Sequence, residues 1–174
     1  MITTERLVLR RPELRDASAI QTLAGAREVA FNTLTIPHPY PDGAAEVWIE
    51  KHRADAFAIT LRETGEVVGM IGVHVNAEHQ HGEVGYWIGV PYQGRGYASE
   101  AARAVIDYAF SELKLNKVFA EHFARNPASG RVMQKAGMTY EGTLRQHHRK
   151  WGEFVDAAMY SILRTEWKGL RTED

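Results

Sequence analysis

Residues 83 to 113 constrain this chain more than any other stretch. An apolar segment, Glu83 to Val90, runs directly into Gln93-Gly94-Arg95-Gly96-Tyr97-Ala98. A helical repeat follows at once, with Ala98, Ala101, Ala102, Val105, Ile106, Ala109, Phe110 and Leu113 on one broad stripe. Strand, glycine turn, helix start is how a chain makes an anion site from its own backbone. Gly94 and Gly96 permit positive φ and close approach of the main chain to a ligand. The unpaired N–H groups of the helix's first turn and its dipole favour negative charge. Arg95 adds a guanidinium fork. The pattern predicts a pyrophosphate cradle. A P-loop would need Lys and Ser/Thr after the last glycine, and a dinucleotide fingerprint would need a third glycine. Neither is present; the motif is Gln93-x-x-Gly96-x-Ala98. On the motif alone, an ordinary tight turn capping a helix is the competing reading.

The flanking elements are legible from periodicity and turn chemistry. Leu7-Val8-Leu9 reads as a first strand. Asp16 is placed to cap a helix carrying Ala17, Ile20, Leu23 and Ala24. The proline-rich run from Ile36 to Pro41 must be a loop, and a second helix begins after Asp42-Gly43. Ala56 to Leu61 and Val67 to Val75 read as strands joined at Thr64-Gly65, and Lys117 to Phe123 as another. Asn126 is a preferred N-cap, Pro127 suits the first helical position, and Gly137 fits the C-terminal end. Two last strands, about Met138 to His147 and Phe154 to Leu163, turn at Trp151-Gly152. The order β-α-α-β-β-β-α-β-α-β-β predicts an α/β (α+β) chain with a mixed sheet of about seven strands and about four helices.

Composition removes several function classes. With 174 residues, 44% hydrophobic and 25% charged, the chain suits one soluble domain over residues 1–174. A net charge of −1 argues against a general nucleic-acid or membrane-surface binder. The count of zero cysteines excludes disulfides, thiolate nucleophiles and cysteine metal sites. The charged start MITTERLVLRR is unlike a signal peptide. The longest apolar run, Val67 to Val73, is too short to span a bilayer. A cytoplasmic location is the expectation.

The Gln93-x-x-Gly96-x-Ala98 turn resembles the coenzyme A-binding motif of the GCN5-related N-acetyltransferase (GNAT) superfamily, and the element order matches that fold along nearly the whole chain. Further strings narrow the resemblance: Thr4 to Arg10, Glu83 to Ile88, Asn126-Pro127-Ala128-Ser129 with Val132 to Met138, Glu141-Gly142-x-x-Arg145, and Gly152-Glu153-Phe154-x-Asp156 with Tyr160. Together they are similar to the RimJ/RimL-type branch of ribosomal-protein N-terminal acetyltransferases. Met138 departs from the usual Phe, and Ala98 stands where many members have Gly.

The resemblance implies acetyl transfer from acetyl-CoA to an amine, with no metal and no covalent enzyme intermediate. The arriving amine is protonated, with a pKa of about 8 for an α-amino group and about 10.4 for a lysine-type amine, so it must lose a proton. The leaving thiolate, with a thiol pKa of about 8.5 by analogy to cysteine, benefits from one. Ser129 is the expected donor to the thiolate, although a serine third in its helix also satisfies backbone groups. Glu83 is the expected base, directly or through water, with His74 and His122 as rivals. A backbone N–H on the Ile88–Val90 edge is the expected oxyanion donor. By resemblance this strand splays from Lys117–Phe123 and admits the pantetheine arm, with Asn126 bonding that arm. Gln93, Gly94, Arg95, Gly96, Tyr97 and Ala98 form the expected cofactor-binding set with Ile88, Val90 and Asn126.

Other clusters have plainer readings. His79-x-His81 and His147-His148 lack acidic or cysteine partners at ligand spacing, so surface positions are expected. The basic run Arg145 to Lys150 is a solvated hairpin end or a contact for an acidic acceptor. Trp48, Trp87 and Trp151 are core residues before they are cleft walls. The acceptor is expected to be a protein N-terminal α-amine. A polyamine, amino acid or antibiotic amine is the alternative, as is a non-catalytic CoA-binding module or, more distantly, a nucleotide-binding domain. A homodimer is compatible with the resemblance.

Overall fold

The alternating stretches become strands and the 3.6-spaced stretches become helices. A computed structural model describes residues 1–170. Among these run eight strands: β1 (Ile2–Thr3), β2 (Leu7–Arg10), β3 (Ala56–Leu61), β4 (Val67–Asn76), β5 (His81–Ile88), β6 (Lys117–Phe123), β7 (Thr139–Lys150) and β8 (Glu153–Leu163). Five helices accompany them: α1 (Ala17–Ala24), α2 (Arg27–Phe31), α3 (Ala44–His52), α4 (Tyr97–Ser111) and α5 (Pro127–Lys135). The strands form a mixed sheet in the order β1-β2-β3-β4-β5-β6-β8-β7. The two-residue β1 and the five-residue α2 are too short to leave a period in the sequence. The other elements stand within a few residues of where the sequence placed them: β5 runs His81–Ile88 rather than Glu83–Val90, and β7 runs on to Lys150 rather than ending at His147.

The chain's contacts fall into two compact units, each made of two pieces: Met1–Gly72 with Tyr86–Ala101, and Val73–Gly85 with the chain from Ala102 onward. In the first unit, β2 pairs antiparallel with β1 and β3, and β3 with β4. Ala17, Ile20, Ala24, Ala45 and Ile49 of α1 and α3 pack with Ala56, Ala58 and Met70 in one buried cluster. The large side chains among them, Ile20, Ile49 and Met70, each contribute about 1.5–3 kcal/mol. Trp48 and Trp87 lie partly buried against it. Asp16 does not cap α1 with its side chain. Its carboxylate instead takes Arg10 at 2.7 and 2.8 Å and the Glu13 N–H at 2.8 Å, because a buried charge gains more from a guanidinium than from a single amide.

In the second unit, β5 starts parallel to β6, while β8 runs antiparallel to both β6 and β7. Register sorts the side chains onto two faces. Pairing of Glu83 with Phe119, Glu121 with Met159, and His148 with Val155 puts Glu83, Glu121 and His148 on one face. His122 and Tyr160 belong to the opposite face, which α5 covers. There Gly130 lies so close that an added Cβ would stand 2.8 Å from His122 Nε2.

Candidate functional site

The strand end, glycine turn and helix start expected to make the cradle lie in the first unit. Strand β5 ends at Ile88, two residues before the expected end, and Val90–Tyr92 makes a single 3-10 turn. Pro91 cannot donate to a ladder, and Gly89 is pressed beneath Leu23, where a Cβ would meet Cδ2 at 2.7 Å. Gly94 and Gly96 then adopt φ of 75° and 82°, the left-handed conformation that only glycine enters without strain. Helix α4 starts immediately, at Tyr97. Gln93 to Gly96 are exposed, so the glycine backbone, the first-turn amides of α4 and the Arg95 side chain all belong to a solvent-facing turn. Backbone of this kind, with a cation beside it, fits the pyrophosphate of coenzyme A.

Two features refine the predicted roles. The Gln93 side-chain amide donates to the Ile88 carbonyl at 2.9 Å, bracing the turn against the strand end. The Gly89 N–H donates to Val68 O at 2.9 Å, so the middle amide of the Ile88–Val90 edge is already engaged.

The sequence reading missed what ties the cradle down. Arg6 donates through Nε and Nη2 to Glu100 Oε2, both at 2.7 Å, and through Nη1 to the Arg95 carbonyl at 2.8 Å. It also lies over the Tyr97 ring at 4.9 Å. Glu100 accepts further bonds from the Thr4 hydroxyl at 2.6 Å and the Arg6 N–H at 2.8 Å. Partial burial pushes the Glu100 carboxyl up, but the hydrogen bonds from Thr4 and Arg6 and the Arg6 charge hold it below the ordinary range. The only available signal was Thr4-Glu5-Arg6 in the quoted first-strand string; its partner lies 94 residues away.

The second unit holds the proton-transfer candidates. Glu83 is half-buried, and burial raises its carboxyl above the ordinary range. The neighbouring Glu121 raises it further, while His74 and His148 pull it back down. A carboxyl raised in this way is a candidate base. His148 Nε2 meets Glu121 Oε1 in a very short hydrogen bond. His122 is separated from this group. Its Nδ1 lies 2.7 Å from the Phe123 carbonyl and its ring packs on Tyr160 at 5.7 Å, so it is a fitted sheet histidine. The register of β5 on β6 runs from His81–Lys117 only to Glu83–Phe119, although both strands continue.

Ser129 is the third residue of α5, half-buried, with its N–H 3.2 Å from the Asn126 carbonyl. The Asn126 side chain makes no capping bond, contrary to the structural reason the sequence offered for it. The histidine pairs also differ from expectation. His147 and His148 do acquire an acidic neighbour, Glu121 from β6, with one ligand atom of each within 4.8 Å of the others. His81 instead stacks on Phe119 at 5.2 Å. Lys150 is buried, 5% exposed, while Trp151 is 44% exposed.

The acetyltransferase (GNAT) domain family matches residues 6–139. The chain is 33% identical to "Uncharacterized N-acetyltransferase p20" of Bacillus licheniformis, over 95% of this chain and 97% of that one. It is 36% identical to "Putative ribosomal N-acetyltransferase YdaF" of Bacillus subtilis, over 60% and 58%. It is 29% identical to "L-amino acid N-acetyltransferase AaaT" of Escherichia coli, over 87% and 94%. The crystal structure of a GNAT-family acetyltransferase from Bacillus anthracis superposes with a TM-score of 0.88 at 29% identity, covering 94% of this chain and 98% of that one. Among the described residues, no helix is long and apolar enough to cross a membrane.

Proposed function

The chain belongs to the GNAT acetyltransferase family, and we propose that the amine it acetylates is an α-amino group, in the first place a protein N-terminus of the ribosomal type. It is an N-acetyltransferase that uses acetyl-CoA. The observation that carries the choice of acceptor is the likeness to the ribosomal-type relative YdaF; half-buried Glu83, its carboxyl raised above the ordinary range, is the base offered to the amine. An α-ammonium, with a pKa of about 8, yields its proton to such a base more readily than an alkylammonium of about 10.4. The ribosomal assignment is supported by the likeness to YdaF and by the RimJ/RimL-type strings. A free L-amino acid is the second reading. The likeness to AaaT favours it, and it presents the same α-amine.

The residue roles follow from the chemistry. Glu83 removes the amine proton, directly or through water. The freed nitrogen attacks the thioester carbon, and a backbone N–H of Ile88 or Val90 holds the oxyanion. The C–S bond then breaks, and Ser129 protonates the sulfur and recovers its proton from water. Gly94 to Ala98 hold the pyrophosphate, with Gln93 shaping the turn. Asn126 bonds the pantetheine arm. Residues 1–174 act as one acetyltransferase domain in the cytoplasm, with homodimer formation compatible with the branch resemblance.

Thiol release from acetyl-CoA tests the acceptor. The panel contains peptides with free N-termini, free L-amino acids and spermidine. The proposal expects peptides to lead, with kcat/KM at least tenfold above spermidine. Amino acids leading would select the second reading, and spermidine leading would overturn both.

A further inference from the structure

Strand β7 carries an irregularity that nothing in acetyl transfer explains. Leu144 pairs with Ala157 and His148 with Val155, so three residues, Arg145 to His147, face Asp156 alone. Gln146 takes φ 52° there, and its N–H donates to Asp156 Oδ1 at 2.7 Å. In a regular strand, His147 and His148 would point to opposite faces. In this bulge their rings converge instead, edge to face, with centroids 4.6 Å apart. Glu121 arrives from β6, with β8 between the two strands, and already bonds His148.

We propose that Glu121, His147 and His148 bind one divalent transition ion of the zinc type, which clips β6 to β7 across β8. Two imidazole nitrogens and a carboxylate are a borderline-soft donor set that leaves a fourth position for water. Ligand atoms about 2.0–2.1 Å from a tetrahedral ion lie roughly 3.3 Å from one another, and those here lie within 4.8 Å. Rotation of the exposed His147 ring closes the difference, because His148 and Glu121 are already in contact. The neighbouring cations are turned to other partners: Arg149 lies over Phe154 at 5.7 Å and Lys150 over Trp151 at 5.3 Å. His79 and His81 make an internal control. Their rings are also close, at 5.7 Å, but among the described residues they belong to no group of three ligands.

The test uses the untagged full chain and Zn²⁺ in competition with a chromophoric chelator. The expected result is one ion per chain. His147→Ala, His148→Ala and Glu121→Gln should each weaken it at least tenfold, while the double variant His79→Ala/His81→Ala should leave it unchanged. Zinc should also raise Tm in the wild type, since an ion held by the native state stabilises it by mass action, and should not do so in His147→Ala. Wild-type affinity in His147→Ala, loss of binding in the His79/His81 variant, or an unmoved wild-type Tm at saturating zinc would each overturn the assignment. All the readouts are independent of acetyl transfer.

Discussion

Arg6 grips Glu100 with two guanidinium nitrogens at 2.7 Å and with a third holds the carbonyl of Arg95 in the cradle itself. The strand start and the anion turn, 89 residues apart in sequence, are therefore one mechanical piece. Arg6→Ala should raise the KM for acetyl-CoA while leaving kcat at saturation nearly unchanged. A charged hydrogen bond is worth about 1.5–3 kcal/mol, but Arg6 is 45% exposed. Screening reduces the expected effect to about 1 kcal/mol, roughly fivefold in KM. Arg6→Lys should recover little of it, because one ammonium does not replace a fork. The split between KM and kcat checks the assignment.

The same pair gives a pH dependence. Glu100 sits below its ordinary value of 4.5 in the folded chain. Its contribution to stability is therefore complete above that value and is lost as pH falls through the folded one. Glu100→Gln should lower Tm at pH 7, and the gap from the wild type should close in acid. A gap that stayed constant with pH would show the ion pair to be inert.

Gly96 combines φ 82° with an Arg6 nitrogen 3.3 Å from where a Cβ would stand. Gly96→Val meets both the backbone strain, about 1–2 kcal/mol for a residue forced into this region, and that contact. Titration calorimetry should show CoA bound at least tenfold more weakly, with the rate of the loaded enzyme changed less. Unchanged affinity would remove the cradle from the mechanism.

Glu83→Gln should cut kcat by about 10²–10⁴ with CoA affinity preserved. Stability should move the other way. The folded carboxyl is raised, so its protonated form is favoured and its contribution is lost as pH rises through the folded value. The glutamine variant should therefore melt higher than the wild type at pH 7 to 8, and the difference should disappear below about pH 4.5. A loss of Tm together with activity would mean that Glu83 is structural.

Ser129→Ala should slow turnover by about 10²-fold or more while CoA still binds. The loss should shrink when the leaving thiol is more acidic, because a better leaving group needs less help. An equal loss with both donors would make Ser129 a helix residue only.

The junction of strand, glycine turn and helix was legible because its information is local: an apolar segment, two glycines and a helical stripe within about thirty positions. The core helices and strands were legible for the same reason. What stayed hidden depends on pairing at a distance. Arg6 with Glu100, and Glu121 with His148, require a register that no short window contains. His122 stood as a rival to Glu83 in the sequence, and only the sheet's alternation puts it beneath α5. The bulge in β7 has no glycine or proline at Arg145 to His147 to announce it, so the convergence of His147 and His148 left no trace in the pattern.

That bulge also sets a rule for length. It holds two residues more than a regular ladder needs, and two is an even number, so Leu144 and His148 stay on one side of the sheet and Lys150 still turns inward. Adding or removing a single residue there would roll the end of the strand over, exposing Lys150 and burying Arg149. Adding or removing two would leave both where they are. A change of length here is therefore tolerated by the sheet in steps of two, and the strand can carry a longer or shorter outward loop at this point while the sheet beneath it keeps its faces.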